Sequence, residues 1–124
     1  MKRIVIALLC AAVCLVAAAG PKSKTVVVNT TKSGKAVMGF AGTTPVEITV
    51  TDGKVEKVVA LPNKETPEYF QKVLDSPIFT KLLGKTVQEA SQVQLDAVSG
   101  ATFSSKAVIE NINIGLKEAV KKVK

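Results

Sequence analysis

Between Pro45 and Val50 the chain alternates. Val46, Ile48 and Val50 are apolar while Glu47 and Thr49 are polar, the two-residue period of a strand with one buried face. Asp52-Gly53 follows, a pair favoured in two-residue hairpin turns, and KVEKVVAL returns as the partner strand. Simple register sets Lys57 opposite Ile48, a charge against a core position, so a bulge or frayed pairing is expected there. Upstream, Thr25 to Val28 has strand composition, and Lys32-Ser33-Gly34-Lys35 reads as a turn. Ala36 to Gly42 is the next expected strand, with Gly39 and Gly42 weakening it or admitting a close neighbour.

The pattern then changes period. Glu68, Tyr69, Phe70, Val73 and Leu74 have helical spacing, and Pro67 suits the first turn of a helix. Asp75-Ser76-Pro77 ends it; a short helix from Ile78 to Leu83 and a further turn at Val87 to Ala90 are expected beyond. Val93 to Ala97 reads as a short strand or extended approach. The last element is the clearest: Ile109, Ile112, Leu116, Val120 and Val123 make one apolar stripe on a helix beginning near Ser104, with Ser104 or Thr102 as its cap. These elements predict an α+β fold, a small antiparallel sheet with a helical middle and a C-terminal helix packed on the sheet.

The 124 residues leave room for one domain, and the first nineteen are not expected to belong to it. Lys2 and Arg3, an apolar run from Ile4 and Ala17-Ala18-Ala19 have the layout of a secretory signal peptide cleaved after Ala19; the rival reading is a retained membrane anchor. Cys10 and Cys14 both lie in this segment, preceded by Leu9 and Val13 rather than by the small residue of a lipoprotein cleavage site. The exported chain then has neither cysteine nor histidine, which removes disulfides, thiol chemistry, histidine bases and the usual zinc ligands. Net charge falls from +7 to +5 with the loss of Lys2 and Arg3. The lysines are dispersed except at Lys117, Lys121, Lys122 and Lys124, where they suit a helix C-terminus, and no aromatics interleave with them, so no nucleic-acid partner is expected.

One stretch is unusual. Ser99-Gly100-Ala101-Thr102 is a run of tiny residues just before the final helix, where a backbone can approach a ligand closely and unpaired N–H groups face an anion. Asp96-Ala97-Val98-Ser99-Gly100-Ala101-Thr102 resembles the D-x-x-[ST]-G-A-T signature of the covalent FMN-binding domain family. That family includes flavin-bearing components of the sodium-translocating NADH:quinone reductase and of the related ferredoxin-oxidising complex. Gly53 to Val58, after a Pro45-led strand, is similar to the family's hairpin, and Glu65-Thr66-Pro67 matches its recurrent E-T-P. Glu68 stands where the family usually has glycine, and Asn63-Lys64 where it often has a histidine. The resemblance covers Lys35 to the C-terminus. With the signal peptide over 1–19 and a connector and first strand over 20–34, it implies an FMN-binding domain over 35–124.

In the family a flavin transferase moves FMN from FAD onto the last threonine of the signature as a phosphoester. The resemblance therefore implies covalent FMN on Thr102. Gly100 and Ala101 keep the neighbourhood slim enough for a transferase to close over the hydroxyl. Ser99, Ser104 and Ser105 are candidate donors to the phosphate, and Asp96 is expected to hold the loop through backbone N–H groups or to be read by the transferase. By resemblance Glu65, Thr66 and Pro67 contribute to one side of the isoalloxazine slot; Tyr69 and Phe103 are candidates by size, with core or surface roles as alternatives. The expected protein is an exported electron carrier rather than a self-contained enzyme. Its partners are a flavin transferase and redox proteins of the cell envelope, at the periplasmic or extracytoplasmic face of the membrane and in reach of a membrane complex. The alternatives are a cell-envelope binding or sensory module whose flavin is structural or absent, and a small reductase, which the lack of a visible substrate site disfavours.

Overall fold

The computed structural model describes residues 24–123, so the signal-peptide segment lies outside the described residues. Three antiparallel strands, β1 (Thr25–Asn29), β2 (Val46–Thr51) and β3 (Lys54–Ala60), form one sheet in the order β1-β2-β3. Helix α1 (Pro67–Leu74), a 3-10 turn (Pro77–Phe79) and the short helix α2 (Val87–Ser91) follow, and α3 (Thr102–Lys122) closes the chain. This is the α+β architecture read from the pattern, with α3 lying on the sheet.

The hairpin forms as its residues dictate. Thr51 pairs with Lys54 across Asp52-Gly53, whose positive φ angles (53° and 80°) give the turn a twist that matches the strands. The register shifts between Thr49 and Val50, so Ile48 faces Val58 and Lys57 faces Thr49. The bulge thereby removes the charge from the core face and leaves Val55 and Val58 buried beside Val50 and Ile48 of β2. Val46, Ile48 and Val50 are fully buried under α3, while Glu47 and Thr49 sit between the core and solvent.

Several elements differ from the expectation. Ala36 to Gly42 is no strand: apart from an isolated Met38–Thr43 bridge it is turns and loop, with the Gly39 N–H donating to the Gly42 carbonyl at 2.7 Å. The expected Ile78–Leu83 helix shrinks to one 3-10 turn followed by further turns, and Val93 to Ala97 runs without strand pairing. Helix α3 starts at Thr102 with Ala101 as N-cap, and no side chain caps it, so neither Ser104 nor Thr102 takes that role.

The buried face of α3 is also rotated from the expected stripe. Ile112 and Leu116 are fully buried, but Ile109, Val120 and Val123 lie at the rim, and Ala107, Val108, Asn111, Gly115 and Ala119 complete the face. Gly115 lets the helix backbone press onto β2, since a Cβ there would stand 2.7 Å from Ile48 Cδ1. Asn111 is buried without strain because each polar atom is matched. Its Oδ1 accepts from Thr30 Oγ1 (2.8 Å), and its Nδ2 donates to the Ala107 carbonyl (3.0 Å) and Thr44 Oγ1 (3.3 Å). The Val46 N–H in turn donates to Thr30 Oγ1 at 2.9 Å, which ties the end of β1 to the start of β2 and to the helix. Among the described residues no helix is long and apolar enough to cross a membrane.

Candidate functional site

The tiny residues that precede α3 make a tight turn onto it. The Ala101 N–H donates to the Val98 carbonyl (3.0 Å), and Gly100 adopts φ 85°, a left-handed conformation that costs other residues but not glycine. The turn is locked from the helix side. Ser105 Oγ accepts from the Val98 N–H (2.8 Å) and donates to the Thr102 carbonyl (3.2 Å), while the Ala101 methyl is buried. Thr102 is thereby set as the first helical residue with its side chain exposed, and its hydroxyl makes no hydrogen bond to another described residue. The following amides begin a 21-residue helix whose first N–H groups have no acceptor from a capping side chain.

Beside this helix start lies an open cleft of about 320 Å³ lined by Phe40, Tyr69 and the segment Gly100 to Phe103, with Ser104 at its base. Phe40 comes from the loop between β1 and β2, Tyr69 from α1 and Phe103 from α3. Phe40 and Phe103 are 67% and 66% exposed, yet their rings stand 6.5 Å apart at 33°. Two aromatic side chains are thus held near each other in solvent around a polar helix start, the composition of a site for a flat aromatic ligand. Lys72, on the second turn of α1, lays its ammonium over Gly100, 2.8 Å from where a Cβ would stand. The charge of this lysine and the N-terminal end of α3 make the turn favourable for an anion.

Glu65 sits behind the cleft and is buried. Its Oε1 accepts from the Phe40 N–H (2.8 Å) and its Oε2 from those of Ala41 (2.6 Å) and Gly42 (3.1 Å), and the Ser104 hydroxyl donates to Oε1. Burial pushes its pKa up, but the Ser104 hydroxyl and the three backbone donors together outweigh this and hold it below the ordinary 4.5. Asn63 fixes the approach: its Oδ1 accepts from the Glu65 N–H at 3.0 Å, and its Nδ2 donates to the Leu61 carbonyl at 3.2 Å.

The expected site residues are therefore distributed unevenly. Gly100, Ala101, Thr102 and Ser104 come together at the cleft. Ser99 is exposed on the turn, and Ser105 is buried with its hydroxyl holding that turn. Asp96 is exposed and accepts no hydrogen bond from a described residue, so the loop-holding role expected of it belongs to Ser105. Of E-T-P, Glu65 faces the aromatic loop, whereas Thr66 and Pro67 open α1 and do not line the cleft. The sequence does not point to the roles of Phe40, Lys72 and Asn63. Phe40 falls in a stretch that reads as a strand, Lys72 looks like any solvated helix lysine, and Asn63 gives only the generic signal of a polar residue before a helix.

The family model described as "FMN-binding domain" matches residues 39–117, which contain the Phe40 loop, Glu65, Lys72 and the whole of the turn onto α3. No curated protein and no solved structure matches the chain. The cleft fits that group on its own terms: aromatic walls suit a flavin ring, and the helix start with Lys72 suits its phosphate. The match spans well over half of the chain, and the chain belongs to the FMN-binding domain family.

Proposed function

We propose that this protein is an exported electron carrier that holds FMN as a phosphoester on Thr102. The observation that carries this reading is the Thr102 hydroxyl itself, exposed at the start of α3 on the edge of an aromatic cleft. A threonine hydroxyl is a weak nucleophile, and no base stands against it among the described residues, so its activation belongs to a flavin transferase. Attachment joins Thr102 Oγ to the FMN phosphorus of FAD, AMP departs as the pyrophosphate bond breaks, and the hydroxyl proton goes to the transferase's base.

The chain's own residues then bind and orient. Lys72, whose ammonium lies over Gly100, and the first amides of α3 would offset the single negative charge of the diester. Phe40, Phe103 and Tyr69 would supply the apolar surface that receives the ring. Bound FMN supplies one- or two-electron transfer, and the openness of the cleft leaves it within reach of redox proteins of the cell envelope. Covalent attachment suits an extracytoplasmic site, where a lost cofactor is not replaced locally. The test is the intact mass of protein recovered from its native envelope. A chain beginning at Gly20 and carrying one FMN phosphoester is expected; a colourless chain with the bare polypeptide mass overturns the reading.

A further inference from the structure

Glu65 is buried at 5% exposure and does not itself line the cleft. Its position is nonetheless costly to build. A carboxylate taken out of water needs several donors, and here it has four, three of them successive amides at the tip of the Phe40 loop and one the Ser104 hydroxyl on the first turn of α3. The loop is otherwise pinned by the Met38–Thr43 bridge and the Gly39–Gly42 hydrogen bond, both at its base. Gly39 is shaped around the carboxylate as well, since a Cβ there would lie 2.5 Å from Glu65 Oε1. The group thus joins two separate elements. One carries Phe40 and the other carries Phe103, two largely exposed rings that no core packing holds in place.

We infer that Glu65 is a positioning residue for the flavin site, acting through Phe40: it fixes the loop so that Phe40 stands opposite Phe103 as one wall for a planar ring. The inference rests on the FMN reading above. The chemistry demands an acceptor-only side chain with two oxygens. Glutamine has the same shape, but its amide group sets N–H against the N–H groups of the loop. Glutamate is therefore not replaceable by its nearest isostere.

The test uses the full chain, with and without FMN attached by co-expression with a flavin transferase. In the flavin-free protein, Glu65→Gln is expected to lower the hydrogen-exchange protection of the Phe40, Ala41 and Gly42 amides by about tenfold or more while the sheet amides keep theirs. In the flavin-loaded protein, Glu65→Gln is expected to raise flavin fluorescence as the aromatic contact is lost. Phe40→Leu is expected to raise it similarly, and the double variant no further, because both changes remove one interaction. Wild-type protection at 40–42 in Glu65→Gln overturns the inference, as do effects of the two substitutions that simply add. Where Glu65→Gln does not fold, Glu65→Asp decides: it keeps the charge but shortens the reach to the three loop amides, and unchanged protection of the loop contradicts the inference. A wild-type chain that takes no flavin defeats the FMN reading instead, and the exchange measurement still shows whether Glu65 holds the loop.

Discussion

Lys72 and Gly100 are in contact across the site: the lysine ammonium occupies the space that any side chain at position 100 would need. Gly100 is therefore constrained twice, by its φ of 85° and by the cation above it. Gly100→Ala is expected to destabilise the fold by about 1–2 kcal/mol through the left-handed backbone alone. It is also expected to slow flavin attachment by displacing Lys72. Thermal unfolding and a time course of attachment measure the two effects separately. Attachment at the wild-type rate contradicts the role given to this pair.

Lys72→Gln isolates the charge. An exposed lysine contributes little to folding, so stability is expected to stay within about 0.5 kcal/mol of wild type. With the ammonium no longer there to favour the phosphate, attachment is expected to slow and to lose part of its salt dependence. A variant indistinguishable from wild type in both rate and salt response removes Lys72 from the site.

The packing of α3 gives a graded series. Leu116 is fully buried, so Leu116→Ala is expected to cost about 2–5 kcal/mol. Val120 sits at the rim, and Val120→Ala is expected to cost clearly less. Gly115→Ala, a favourable change in a free helix, is expected to destabilise by about 1–3 kcal/mol because the new methyl meets Ile48. Denaturant unfolding ranks all three, and a stabilising Gly115→Ala contradicts the close approach of helix and strand.

That helix also marks how far the sequence is legible. The hairpin is readable because alternation and Asp52-Gly53 are local signals, and the Lys57–Ile48 clash announces the bulge. The final helix is readable in extent but not in orientation. Its buried face includes Ser104, Ser105, Asn111 and Gly115, residues whose chemistry belongs to a solvent face until Glu65, Val98, Thr30 and Ile48 meet them from other parts of the chain. The same holds at the site. The turn from Ser99 to Thr102 stands out because four small residues in a row are conspicuous. The Phe40 loop does not, since its shape is imposed by a carboxylate twenty-five positions away. Ala36 to Gly42 reads as a strand when taken alone, and hydrogen bonds to Glu65 replace the ladder such a strand would need.

Stability at acid pH follows from Glu65. Its pKa is lowered in the folded state, so the folded protein holds the ionised form more tightly than the unfolded chain does. Its contribution is full above the ordinary value of 4.5 and is lost as pH falls through the lowered folded value. Glu65→Gln is therefore expected to flatten the acid limb of the stability profile. An acid limb identical to wild type, in a folded variant, contradicts this assignment.

Thr102→Ala removes the proposed attachment point itself. The substitution removes one hydroxyl from an exposed position at a helix start, so the fold is expected to survive. After co-expression with a flavin transferase, denaturing electrophoresis viewed by flavin fluorescence is expected to show a bright band for wild type. Thr102→Ser is expected to keep a weaker one, because its hydroxyl remains, and Thr102→Ala to show none. A fluorescent band of wild-type intensity in Thr102→Ala contradicts the assignment of the attachment site.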